Sequence, residues 1–138
     1  MARAHHLLVI DDEPFIGRIV RLEFERGPYE VSIALDGNAG LEFLRAHPDV
    51  DLVLLDVNLP TRSGLDVLEE AQRDPTLARV PFIVLTAAGQ STYAERAKSL
   101  GAAAFLTKPF SPKKLFRQVA AILGEDPGGA AAPDEKEE

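Results

Sequence analysis

The chain reads as an α/β protein: a five-stranded parallel sheet with five helices distributed over both faces. Two observations predict this. Five short apolar runs, at 6–11, 30–35, 51–56, 81–86 and 103–107, alternate with stretches of helical spacing. Two of those runs, "DLVLLD" (51–56) and "PFIVLT" (81–86), are continuously apolar inside, as strands covered on both faces must be. At 138 residues the chain has room for one core of this kind and not two.

The elements follow in order. "HLLVID" (6–11) is the first strand. The first helix spans 14–26: Pro14 suits a first helical turn, and Gly27 can end the helix. Phe15, Ile19 and Leu22 share a face, flanked by Ile16 and Val20, and this face is expected to pack on the sheet. "EVSIAL" (30–35) is the second strand, and "DGNAG" (36–40) a turn that starts the second helix, 38–47. The third strand, 51–56, leads to a helix over 63–73, and the fourth, 81–86, to "QSTYAERAKSL" (90–100). That fourth helix is the least apolar, offering mainly Tyr93, Ala94, Ala97 and Leu100, and a helix that buries so little is the most easily shifted. "AAFLT" (103–107) is the fifth strand. Pro112 opens the last helix, 112–123, with Leu115, Val119 and Ile122 on one stripe.

Composition narrows the function. There is no Cys, which excludes disulfides and thiolate metal sites. No apolar run approaches the roughly 20 residues of a membrane span, and the N-terminus carries no signal-peptide pattern, so a cytoplasmic protein is expected. The net charge of −7 is uneven: from Glu125 onward six acids face Lys136 alone, a net −5. Residues 1–124 hold the remaining 16 acids and 14 bases, with no basic face for nucleic acid. The ordered domain is therefore set at 1–124, and 125–138, rich in Gly, Ala, Pro and acid, is expected to be a disordered tail or linker.

In sheets of this kind ligands bind beyond the carboxyl ends of the strands. Strand one runs into Asp11, Asp12 and Glu13; strand three ends at Asp56, strand four at Thr86-Ala87, and strand five at Thr107-Lys108-Pro109. Two like charges 4 Å apart repel by about 1 kcal/mol in water and about 4 kcal/mol at an effective dielectric near 20. Asp11, Asp12 and Asp56 together therefore call for a cation. Carboxylates without Cys or His favour magnesium over zinc or copper. A divalent ion beside the Lys108 ammonium and the Thr86 hydroxyl suits a phosphoryl group, and a carboxylate there can itself be the nucleophile. Asp56, standing alone at the end of the central strand, is the candidate. Other chemistries lack their signatures: there is no GxGxxG, no GxxxxGK[ST] and no GxSxG. His5 and His6 lead into strand one, and His47 reads as a cation at the end of a helix.

With these residues in place, the sequence resembles the receiver domain of two-component response regulators, the CheY-like relatives of flavodoxin. The resemblance rests on "VIDDEP", "ALDG", "PDVDLVLLDVNLPTRSG", "PFIVLTA" and "GAAAFLTKPF", in that order over residues 6–124. It implies strand order 2-1-3-4-5 and a phosphoryl group accepted on Asp56 from a sensor histidine kinase or a histidine phosphotransfer protein. Small acyl phosphates can serve instead. Asp12 is then a direct Mg2+ ligand, Asp11 acts chiefly through water, and Asp56 and the Asn58 carbonyl supply further oxygens, with Mn2+ able to substitute. Lys108, Thr86 and the Ala87 amide meet the phosphoryl group; Lys108-Pro109 is a cis peptide; Pro60 and Gly64 shape the loop after Asp56. Asn58 and Ala88 occupy positions that tune hydrolysis, and a small Ala88 leaves water access open. Phe105, with Thr86, is the implied switch toward an output face of helix four, strand five and helix five.

The resemblance describes a phosphoacceptor that phosphorylates and dephosphorylates itself rather than a conventional enzyme. It acts through a downstream protein partner or a linked output domain, with phosphorylation-dependent dimerisation among the outputs, and without nucleic-acid or membrane contact of its own. Glu13 is given no chemical role beyond beginning helix one. The alternatives are a constitutive interaction module with the same fold and a hydrolase of external phosphate esters. The first usually lacks one of the carboxylates or the lysine, and the second lacks a substrate pocket in the sequence.

Overall fold

The computed structural model describes residues 5–87 and 92–124. The expectations for Ala88, for the first two residues of the 90–100 helix and for the acidic tail lie outside the described residues. The element order is β1 (His5–Ile10), α1 (Pro14–Phe24), β2 (Tyr29–Ala34), α2 (Gly37–Ala46), β3 (Leu52–Asp56), α3 (Gly64–Arg73), β4 (Phe82–Ala87), α4 (Thr92–Ser99), β5 (Ala104–Lys108) and α5 (Pro112–Ile122). All strand pairs are parallel, in the order β2-β1-β3-β4-β5. That strand order places β1, which runs into Asp11 and Asp12, beside β3, which ends at Asp56, at the switch in strand order where such sheets bind ligands.

β3 is buried at every residue, as its unbroken apolar run requires. The side chains of β1, β3 and β4 divide between two cores. Leu8, Ile10, Val53, Leu55 and Val84 face α2 and α3, with Ala97 of α4 on the same side. Leu7, Val9, Leu52, Leu54, Ile83 and Leu85 face α1 and α5. Fully burying one such aliphatic side chain contributes about 1.5–3 kcal/mol relative to exposure. The sheet centre is therefore the stable part of the fold. The edge toward β5 is looser: every β5 residue keeps some exposure, and α4 buries Ala97 alone. That agrees with the weak apolar content read from its sequence.

Helix α1 corrects one expectation. Its buried face is Ile16, Gly17, Val20 and Phe24, whereas Phe15 and Leu22 are 48% and 74% exposed and Ile19 is intermediate. The buried face lies roughly 130–150° around the helix from the one that Phe15, Ile19 and Leu22 would define. Two long-range contacts decide it. Phe24 enters an aromatic cluster with Tyr29 and Phe116, with ring centroids 5.1 and 5.0 Å away. Gly17 lets α1 approach β2 so closely that a Cβ there would lie 2.6 Å from Ile33 Cδ1. The helix also ends at Phe24, before Gly27.

The remaining helix ends follow ordinary capping. Asp36, Ser63 and Ser111 cap α2, α3 and α5, each side chain accepting from a backbone N–H of the first turn. Ser63 is thus the cap of α3 and not its first residue. Leu115 and Val119 are buried on α5, with Ile122 half-buried beside them.

Candidate functional site

The carboxyl ends of four strands meet at one cleft. Asp11 directly follows β1 and is tied into the sheet by its N–H, which donates to the Ala34 carbonyl at 3.1 Å. Asp56 is the last residue of β3, Thr86 and Ala87 close β4, and Lys108 closes β5 opposite Ala87. Asp12, Glu13, Asp56, Asn58, Ala87 and Lys108 line a cleft of about 310 Å³. Asp11, Asp56 and Thr86 are among the few buried polar residues of the molecule, while Asp12 is exposed at the mouth.

Asp11, Asp12 and Asp56 each offer a carboxylate oxygen, all within 4.8 Å of one another. Asp11 Oδ2 and Asp56 Oδ1 are buried and, apart from the Lys108 ammonium, meet no hydrogen-bond donor among the described residues. The Lys108 ammonium stands against both as an ion-pair partner, 2.8 Å from Asp11 Oδ2 and 3.5 Å from Asp56 Oδ1. Burial pushes the Asp11 carboxyl above the usual carboxylate range, despite the nearby lysine. Burial does the same to Asp56, and the Asp11 charge adds to it. For Lys108, burial works against the charged form, but contact with Asp11 and the charge of Asp56 outweigh it and raise its pKa. Two buried, under-satisfied carboxylate oxygens beside a third carboxylate are a hard-oxygen donor set, and a divalent cation fits it. Of the residues present, Asp11, Asp12 and Asp56 are the side chains able to hold it, with the Asn58 carbonyl at the same cleft.

The loop after Asp56 is shaped as the sequence requires. The Gly64 N–H donates to the Val57 carbonyl at 2.8 Å. A Cβ on Gly64 would collide with the Asp56 carbonyl oxygen and lie 2.8 Å from its carbonyl carbon. Only glycine lets the chain return so near the strand end. Pro60 sits at the exposed tip, followed by Thr61 at φ 65°. On the other side of the cleft, Lys108-Pro109 is a cis peptide. Phe105 lies opposite Val84 in the sheet, half-buried against the α2–α4 core beside Tyr93 and Leu100.

Glu13 does more than begin α1. It offers no cap to the helix, and its Oε1 accepts from Lys108 Nζ at 3.1 Å. Sequence reasoning missed this contact because Glu13 and Lys108 are 95 residues apart. Arg62 was also missed: it reaches from the loop to both α2 and α3. An arginine in a loop otherwise made of small and apolar residues was the available signal. The histidines, as expected, stand away from the cleft. His6 is buried, bonding Asp49 Oδ2 and Ser32 Oγ at 2.8 Å each, and His47 caps α2 and stacks on Phe43.

With this geometry in place, the family model for the response regulator receiver domain matches residues 7–120. The chain belongs to the response regulator receiver domain family. The Synechocystis sp. protein described as DNA-binding dual master transcriptional regulator RpaA is 36% identical over 117 residues, which cover 85% of this chain and 48% of that protein. The chain thus spans about half the length of that relative. Among solved structures, the chemotaxis response regulator CheY4 of Vibrio cholerae superposes with a TM-score of 0.79 at 26% identity, covering 86% of this chain and 98% of that one. The Mn2+-bound form of response regulator Rcp1 superposes with a TM-score of 0.72 at 31% identity, covering 86% and 91%. The receiver chain is therefore a signalling domain of the two-component class, and no described helix is long and apolar enough to cross a membrane.

Proposed function

We propose that this receiver domain accepts a phosphoryl group on Asp56, with Mg2+ or Mn2+ held by Asp11, Asp12, Asp56 and the Asn58 carbonyl. The single observation that carries the reading is the pair of buried carboxylate oxygens on Asp11 and Asp56, with the Lys108 ammonium as their shared counter-charge. An Asp56 carboxylate oxygen attacks the phosphorus of a phosphohistidine on a sensor kinase or a histidine phosphotransfer protein. The P–N bond breaks, its electron pair goes to the imidazole nitrogen, and an aspartyl phosphate remains. The divalent cation, when bound, neutralises charge on the phosphoryl oxygens. The Asn58 N–H, which donates to the Asp56 carboxylate, keeps that side chain oriented. Lys108, Thr86 and the Ala87 amide receive the phosphoryl oxygens from the β4–β5 side.

The phosphorylated state is read out on the α4–β5–α5 face, through Thr86 and Phe105, by a protein partner, a linked output domain or a second receiver. The shallow burial of α4 and β5 supports that choice, because the least buried elements shift at least cost. The domain comprises residues 1–124, the acidic 125–138 segment serving as linker or tail, and it works in the cytoplasm without contacting nucleic acid itself.

The test is incubation with Mg2+ and acetyl phosphate, followed by intact mass and a phosphate-affinity gel. A single phosphoryl adduct, lost in Asp56→Asn, is expected. No adduct from either acetyl phosphate or a cognate kinase overturns the reading, and an adduct that survives Asp56→Asn overturns the assignment of the acceptor.

A further inference from the structure

The loop from Val57 to Ser63 carries the Asn58 carbonyl, and its two edges are held differently. Its base closes on Val57, the residue after β3, by Gly64 N–H to Val57 O at 2.8 Å and Leu59 N–H to Val57 O at 3.1 Å, and the Val57 N–H ties it to the sheet through the Leu85 carbonyl of β4 at 2.9 Å. Its tip holds Thr61, a β-branched residue in the left-handed region at φ 65°, a conformation that persists only where the surroundings over-determine it. The next residue supplies the determination. The Arg62 N–H donates to the Pro60 carbonyl at 2.7 Å, and its stem lies against Gly37 at the start of α2. Its guanidinium donates to Asn38 Oδ1 on α2 at 3.1 Å, and to Glu70 Oε1 and the Asp66 carbonyl on α3 at 2.9 and 3.3 Å. Glu70 is itself held by Arg45 of α2, which also pairs with Asp74, each at 3.1 Å. The fork geometry of arginine lets one side chain hold three elements at once.

We propose that Arg62 is a positioning residue of the cation site: it clamps the 57–63 loop to α2 and α3, so that the Asn58 carbonyl is in place before the ion arrives. This rests on the reading of Asp11, Asp12, Asp56 and Asn58 as that site. Without the clamp, the loop must be ordered at the moment of binding, and the ordering entropy is charged against affinity. The chemistry at Asp56, once the ion is bound, is untouched, since Arg62 contacts no residue of the cleft in the bonds described.

The test measures Mg2+ affinity by calorimetry, and separately the Mg2+ dependence of phosphorylation by acetyl phosphate. It compares wild type with Arg62→Ala, Arg62→Lys and Glu70→Gln. Arg73→Ala is the control, because it breaks an exposed α3 pair with Glu69 that does not reach the loop. Affinity about two- to fivefold weaker is expected in Arg62→Ala, the scale of losing partly exposed ion pairs with their hydrogen bonds. Glu70→Gln should move the same way, and Arg62→Lys should fall between, having lost the fork but kept the charge. The phosphorylation rate at saturating Mg2+ stays at the wild-type value in all four variants. A lowered saturating rate with unchanged Mg2+ affinity overturns the clamp, and so does unchanged affinity in both Arg62→Ala and Glu70→Gln. Wild-type protein that takes up no Mg2+ overturns the reading of the cation site itself, which separates the two failures.

Discussion

The ammonium of Lys108 lies 2.8 Å from Asp11 Oδ2, closer than to any other acidic oxygen it meets. A lysine from the far strand of the sheet thus balances the charge of the two buried aspartates, at positions where a divalent cation would compete with it. Cation binding at that position would be linked to release of Lys108 from Asp11. With chelator present, Lys108→Ala should lower stability by about 1–3 kcal/mol, since it leaves the buried Asp11 Oδ2 without a partner. Added Mg2+ should then raise the melting temperature of Lys108→Ala by more than it raises that of wild type. Equal Mg2+ shifts in thermal unfolding would show that the lysine and the cation do not share a position.

Asp56 is buried with its carboxyl pushed up by desolvation and by the neighbouring Asp11 charge. Replacing it with Asn removes the charge and keeps the volume. Asp56→Asn should therefore be more stable than wild type in chelator, by about 1 kcal/mol, while its phosphoryl incorporation vanishes. Denaturant unfolding decides: a less stable variant would mean that the charge is well compensated in the folded state.

The same two carboxyls set a pH dependence. Both have folded pKa values raised above the ordinary aspartate value of 3.8, so the folded protein holds protons there more tightly than the unfolded chain. Their ionisation weakens the fold as pH rises from about that unfolded value through the raised folded values, and acidification across this window recovers stability. A Mg2+ ion competes with the same protons, so its affinity should fall as pH drops through the raised window. Calorimetric Mg2+ titrations stepped from neutral pH down to the ordinary aspartate range test this. An affinity that begins to fall only at the ordinary aspartate pKa would contradict the raised values.

The outward stripe of α1 separates exposure from core. Leu22→Ser should change stability by less than about 0.5 kcal/mol, as surface substitutions do. Phe24→Ala, which empties the cluster with Tyr29 and Phe116, should cost about 3–5 kcal/mol. The reverse order in chemical denaturation would place the wrong face of the helix on the sheet.

Gly64→Ala forces a methyl group toward the Asp56 carbonyl. The loop must move, at a cost of about 1–3 kcal/mol. Because the moving segment carries the Asn58 carbonyl, Mg2+ affinity should fall together with stability. Full affinity in a destabilised variant would detach that carbonyl from the cation site.

The amino-acid sequence by itself determined the alternation of elements, their near boundaries and the ends at which Asp11, Asp12, Asp56, Thr86 and Lys108 stand. These are local properties: continuous apolar runs need cover on both faces, prolines open helices, and a charge after a buried strand marks the point where the chain leaves the core. The family motifs carried the strand order that brings those ends together. Tertiary structure alone decided which face of α1 is buried, because Phe24 answers to Tyr29 and Phe116, and Gly17 to Ile33, across the fold. It also decided that Glu13 meets Lys108 and that Arg62 ties the loop to α2 and α3. Glu13 and Arg62 have long, flexible side chains whose partners lie on other elements. Periodicity registers which residues share a face, and it holds no information about which distant charge will stand within hydrogen-bond reach of one of them.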